Sequence, residues 1–433
     1  MDENADGDIW AKSIERDVAG FLCLYISCSI SAAGGIGGGG LNVPIFLVVF
    51  GYSYKTAVVF SLCTVLGNYS SQIFLNWRKR HPADNRRPLI YWDAALILLP
   101  AQLGGSNIGI IIAKTFPDGI LILVAMVVLA FAGLTSFRKG RKYWLLESLH
   151  RGPLYSSMPL AQQESSGAMP IRQKREGRGQ LQLPDGDEGD EEDDKEEEEG
   201  DKEDEEGGEQ SKTMAPLKLP WVTLFALFVI WIVYACLYSV LATAVDMCSP
   251  GYWSIMAVSY VLLFIAVFCG FSYVLVKQVR NEVCILEGDM ILSRLSAMPP
   301  LAAFFIGILC TTLGIGGGEL MGPLLLSLRV LPQVVSATTS TMSFINTSSN
   351  LVHYAILGQV SAASFWAFFA VGSVGGVTGR IFYLHVSQRY GRPSITIFML
   401  IIVLILSFWL LVYHLATEPG VNFTNIAAYC PPS

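Results

Sequence analysis

Residues 35–44 read Gly-Ile-Gly-Gly-Gly-Gly-Leu-Asn-Val-Pro, and residues 314–323 read Gly-Ile-Gly-Gly-Gly-Glu-Leu-Met-Gly-Pro. The two stretches match without a gap at an offset of 279, and both sit inside long apolar runs. Each glycine costs a helix interior roughly 1 kcal/mol relative to alanine, so a regular helix is expected to break at both places. Broken backbone at membrane depth leaves N–H and C=O groups unpaired, which is tolerated only where protein or a wet cavity receives them. Two such breaks in register therefore mark a site, with the positive ends of half-helices turned toward negative solutes. Close helix packing through small residues is the competing reading of either stretch alone.

Composition places the pair in a membrane. Of the 433 residues, 52% are hydrophobic, and mean hydropathy is positive. The net charge of −7 is misleading, because residues 185–209 hold 18 of the 36 acidic side chains and only two of the 29 basic ones. The remainder is mildly basic, as expected for cytosolic loops that follow the positive-inside rule. Nine cysteines occur without a Cys-x-x-Cys pair or an accompanying histidine pattern, so no metal site is expected, and most read as small hydrophobes. The acidic first residues do not resemble a secretory signal. Walker A, His-Glu-x-x-His and triad spacings are absent from the sequence, so no enzyme activity, cofactor or nucleic-acid partner is expected.

The chain divides by polarity. Residues 1–17 form an acidic, non-cytosolic tail; 18–137 a first membrane repeat; 138–216 a cytosolic, largely disordered acidic loop; 217–280 a membrane hairpin; 281–299 a cytosolic connector; 300–416 a second repeat; and 417–433 a non-cytosolic tail. The basic stretches at 78–88 and 138–142 fall on the cytosolic side by parity, as do Arg329 and the Arg389–Arg392 pair. The acidic loop has too little apolar surface to fold, and it reads as a solvated linker more readily than as a dock for a protein partner. Gly104-Gly105 and Gly375-Gly376 occupy matching places in the fourth segment of each half. Because the hairpin returns the chain to the cytosol, the halves point opposite ways. The glycine regions then form either re-entrant loops or tight pairs of crossings. The expected fold is all-α: a polytopic membrane protein of two inverted-topology repeats, each with a glycine-rich break. Asn422, in an Asn-Phe-Thr sequon, is a glycosylation candidate on the non-cytosolic side. Cys248 and Cys430 share that side and could pair.

The two stretches, each followed by an apolar segment and then a small, hydroxyl-rich one (residues 57–64 and 336–343), resemble the sulfite exporter TauE/SafE family of permeases. The resemblance covers nearly all of 18–137 and 300–415. It implies transport of small sulfur-containing anions, sulfite or organosulfonates, without ATP-binding domains. The long acidic loop departs from a compact family core.

An oxyanion needs N–H and O–H donors and positive potential away from lipid. Donor candidates are the amides of Gly37, Gly38, Gly39, Gly40, Gly316, Gly317 and Gly318. Further candidates are the side chains of Asn42, Ser61, Thr64, Asn68, Thr338, Thr339, Ser340 and Asn346, several spaced to share a helix face. Helix-to-helix contact or back-bonding is an equal alternative for each hydroxyl. Glu319, the one carboxylate in either stretch, is a candidate for proton coupling; the alternative is an exposed acid at a loop end. His353 is a second coupling candidate, more readily read as a satisfied interfacial histidine. Lys55, Asp93 and Arg380 sit near span ends and are expected to snorkel to the interface. The expected partners are a small anion and membrane lipid, with no oligomeric state indicated. A passive anion channel, or a scaffold signalling through the acidic loop, is the alternative function.

Overall fold

The computed structural model describes residues 14–81, 84–150, 219–246, 248–280, 298–328, 330–356, 358, 360–390, 395–418 and 420–424. The N-terminal acidic tail, residues 151–218, the 281–297 connector, Arg329, Arg392 and Cys430 lie outside them. Five helices build the first half: α1 (Ile14–Ala33), α2 (Gly39–Ile45), α3 (Tyr54–Asn76), α4 (Trp92–Thr115) and α5 (Asp118–His150). A hairpin follows, α6 (Trp221–Thr243) and α7 (Pro250–Val279). The second half repeats the order with α8 (Met298–Leu313), α9 (Gly317–Ser327), α10 (Pro332–Ile356), α11 (Ala362–Tyr390) and α12 (Ile395–Thr417). Eight of these are long and apolar enough to cross a membrane: α1, α3, α4, α5, α6, α7, α11 and α12. Their outward positions carry large apolar side chains such as Val127, Phe131, Phe225, Phe264, Phe268 and Trp409, the surface of helices dissolved in lipid. The chain is an all-α, multi-pass integral membrane protein.

Local chemistry explains the helix ends. Ser53 caps α3 and Ser249 caps α7, each accepting an N–H three residues on, and Pro250 occupies the first position of α7. In each glycine stretch the first residue ends the incoming helix. Gly35 and Gly314 both adopt left-handed backbone, φ 72° and 66°, and the Ile36 amide reaches back to Ser31 O at 3.0 Å to close a Schellman turn. Pro44 and Pro323 then lie within the outgoing half-helices, where a missing N–H frees a carbonyl one turn back. After Pro44 the chain continues as a π-turn, Phe46–Phe50.

Packing partners exchange between the halves. Helix α4 lies on α8 and α1 on α11; α2 touches α12 and α9 touches α5; α3 and α10 meet at the centre. Added Cβ atoms at Gly105 and Gly109 would run into the Phe304 and Ile308 carbonyls, and at Gly375 and Gly379 into the Tyr25 and Ser29 carbonyls. Phe304 and Ile308 follow Tyr25 and Ser29 by the offset of the glycine stretches. Gly105 therefore corresponds to Gly375, one residue away from the alignment of the two Gly-Gly pairs.

Two expectations are corrected and one stretch gains detail. Helix α5 runs through Arg138–Lys142 to His150 instead of stopping at Phe137, since Arg and Lys are good helix formers. Part of the basic 78–88 stretch forms a short antiparallel hairpin, β1 (Arg80–His81) and β2 (Asp84–Pro88). Arg389 belongs to the last turn of α11 rather than a loop. Near the first break, Phe46, Phe60 and Phe368 interlock with centroids 4.9–6.0 Å apart, joined by Phe50 and Tyr52. At the second break Leu325 stands at the position of Phe46.

Candidate functional site

The two half-helices α2 and α9 begin against one another in the protein interior. A Cβ added to Gly39 would strike the Gly316 amide nitrogen and come within 2.9 Å of Gly314 O and Gly316 Cα. The contact is thus glycine backbone on glycine backbone. It is braced across the halves by equivalent serines: Ser61 Oγ donates to Gly314 O at 3.4 Å, and Ser340 Oγ to Gly35 O at 3.3 Å. Ser340 Oγ also lies 2.6 Å from Gln72 Oε1 and 2.7 Å from Ser336 O, so its one proton is shared among these acceptors, while Gln72 Nε2 donates to Ile36 O and to Asn68 Oδ1.

The exposed amides at the half-helix ends are met by side chains. Gly40 N–H donates to Glu319 Oε1 at 2.9 Å, so a carboxylate of the second stretch lies at the start of α2. Glu319 is fully buried and its Oε2 has no partner, which replaces the alternative of an exposed acid at a loop end. Gly318 N–H donates to the Tyr69 hydroxyl at 3.1 Å. Beside Gly317 stand the Gln102 amide and the Ser343 hydroxyl, 2.6 and 2.8 Å from where a Cβ would be. Gln102 is fully buried, and neither its nitrogen nor its oxygen finds a partner. A buried polar group left unsatisfied costs about 1–3 kcal/mol, so a ligand offering both an acceptor and a donor is favoured there.

The expected residues divide by what they touch. Asn42, fully buried, accepts from Ser27 Oγ at 2.8 Å. Asn68 donates to Cys28 O at 3.0 Å. Thr64 and Thr339 bond back to Phe60 O and Val335 O on their own helices. Thr338 accepts the Tyr91 N–H, and Asn346 accepts from Ser106, so both face α4. His353 lies near the far end of α10, against the Tyr238 and Tyr354 rings, with neither ring nitrogen paired. Asn422 is exposed. Cys248 is disulfide-bonded; its expected partner Cys430 is outside the described residues. Lys55 is exposed at its helix end, as expected. Asp93 and Arg380 do not snorkel. Asp93, 8% exposed, pairs with Lys277 at 3.0 Å, and Arg380, 3% exposed, donates to Ser336 and Asn76.

Tyr69, Gln72, Gln102 and Ser343 were absent from the sequence-based set. Gln72 extends the Ser61–Thr64–Asn68 face by one turn and is reachable by helical spacing; Tyr69, the residue after Asn68, lies about 100° round the helix. Gln102 lies on α4 and arrives only by tertiary packing.

Known proteins resemble this chain in sequence. The sequence model of the sulfite exporter TauE/SafE family matches residues 20–180 and 216–407. The chain belongs to that family. Its TauE/SafE relatives include three from Arabidopsis thaliana. Sulfite exporter TauE/SafE family protein 2 is 30% identical over 416 residues, covering 93% of this chain and 83% of the relative. Family protein 5 is 29% identical, covering 88% and 79%, and family protein 1 is 28% identical, covering 96% and 88%. No solved structure matches this TauE/SafE chain.

Proposed function

We propose that the chain is a secondary transporter that exports small sulfur-containing oxyanions of the sulfite or organosulfonate class by alternating access. The single observation that carries this reading is the meeting of α2 and α9, end to end, beside the unsatisfied Gln102 amide. The start of α9 supplies backbone N–H groups that no helix uses, with Tyr69, Ser343 and Gln102 around them. The relatives are named as sulfite exporter family proteins, which points to the same class of solute.

A carrier fits better than a channel. The glycine contact at the junction leaves no room for a Cβ, and the crevice beside it, lined by Gly34, Gly35, Gly318, Ser336 and Thr339, measures about 30 Å³, room for about one water. An oxyanion enters only if the halves move apart. The exchanged packing of the two halves supports an inverted-repeat mechanism in which one moves against the other. Glu319 supplies the coupling: its carboxylate occupies the one N–H of Gly40, so loading a proton onto it removes the charge that holds this donor and makes the N–H available to the substrate anion.

The test is uptake of labelled sulfite, sulfate and small sulfonates into proteoliposomes, with and without a pH gradient. Saturable flux that Gln102→Leu lowers supports the reading. Flux that never saturates or ignores Gln102 sinks it. Deleting residues 151–216 keeps most of the flux of a transporter; loss of function on deletion points instead to a scaffold acting through the acidic loop.

A further inference from the structure

A second polar cluster lies at the end of the molecule where α3 finishes and α11 passes over it. Arg380 of α11 is 3% exposed, and among the described residues it meets no carboxylate. Its Nη1 donates to Ser336 Oγ at 3.1 Å, its Nη2 to Asn76 Oδ1 at 3.2 Å, and its Nε has no partner. The guanidinium also lies 5.2 Å over the Tyr383 ring. Lys79 Nζ donates to the same Asn76 Oδ1 at 3.1 Å. Two cations thus share one neutral acceptor. The groups left unpaired in this cluster, Arg380 Nε and Asn76 Nδ2, are both donors.

Such a cluster is short of negative charge and of acceptors at once. Burying a guanidinium without a counter-charge is costly, and a small oxyanion answers both shortages through charge-assisted hydrogen bonds. Lys79 feels the imbalance: burial, and then the nearby Arg380, lower its pKa from 10.5 to about 8. Lys79 is only half-buried, so the cluster opens outward there. Inward, it leads to the glycine junction. Ser336, which holds Arg380, lies against Gly35 and lines the small cavity with Gly318.

We propose that Arg380, Lys79 and Asn76 form a second anion site, which takes a small divalent oxyanion such as sulfate or sulfite at the mouth shared by α3 and α11 and passes it by Ser336 to the glycine junction. The passage rests on the transport reading given above. The binding does not, and it is measured without flux.

The experiment is equilibrium binding of radiolabelled sulfate to the full-length purified protein in nanodiscs, in chloride-free buffer of low ionic strength. Each variant is made alone and in a Gln102→Leu background that disables the junction. Saturable binding is expected in Gln102→Leu. Lys79→Gln weakens it about tenfold or more, the scale of one lost charge-assisted bond. Arg380→Gln abolishes it and Arg380→Lys restores part. Wild-type affinity in Lys79→Gln overturns the site, and that variant decides the matter if Arg380→Gln does not fold. Binding that survives Lys79→Gln but vanishes in Gln102→Leu assigns the anion to the junction alone and also overturns it. Sulfate binding that depends on Lys79, in a protein without flux, upholds this site and refutes the transport reading.

Discussion

Gly39→Ala is the sharpest test of the central contact. The new methyl meets the Gly316 amide nitrogen, Gly314 O and Gly316 Cα, the last two at 2.9 Å. Carbon contacts settle near 3.5–4.0 Å, so the second stretch must retreat by about 1 Å. All three obstacles are backbone, and no rotamer change relieves them. Overpacking of this kind costs about 1–3 kcal/mol, against which the helix-propensity gain of alanine at a first helical position is small. Gly133→Ala is the matched control: it lies inside α5, away from the junction, with only Leu404 Cβ within 4 Å of the added Cβ, at an ordinary 3.9 Å, and it gains about 0.5–1 kcal/mol of stability. Thermal unfolding of the two purified variants, followed by labelled sulfite uptake at equal protein density, gives the comparison. The expected result is opposite signs in stability, with flux falling in Gly39→Ala alone. If Gly39→Ala unfolds and transports like the parent, the half-helix ends do not touch and the site described here is wrong.

Other expectations are narrower. Glu319→Gln keeps an oxygen for the Gly40 amide but cannot exchange a proton, so flux should lose its dependence on the pH gradient; an unchanged pH response removes Glu319 from coupling. Tyr69→Phe strips the Gly318 N–H of its acceptor, which should destabilise the empty protein by about 1–3 kcal/mol and enlarge the stabilisation that sulfite gives in a thermal-shift assay. Sulfate binding at the Arg380 mouth should weaken as pH rises through about 8, where Lys79 loses its charge. Lys79→Arg should flatten that profile, and a parent profile level from pH 7 to 9 would contradict the role given to Lys79.

Much of the plan was readable because the informative residues recur. A gapless repeat of glycines inside apolar sequence announces two helix breaks, and hydropathy announces the spans around them. Polarity also located Ser61, Ser340 and Asn68 on the faces that reach the breaks. What escaped is set by packing. Gln102 looks like any polar residue in an apolar run until α4 lies on α8. Arg380 and Asp93, at span ends, read as snorkelling because nothing local reveals that Asn76 and Ser336 receive the one and Lys277 the other. The overrun of α5 past Phe137 has a different cause, since a charge cluster marks where lipid ends and says little about where a helix does.

The ring cluster at Phe46, Phe50, Tyr52, Phe60 and Phe368 gives the two breaks unequal mechanics. Interlocked aromatics resist sliding, and the second break has a leucine, Leu325, where the first has the Phe46 ring. On the alternating-access proposal made above, the first tip would be the anvil and the second the hammer, so that the stroke falls to the arm that also carries the acid.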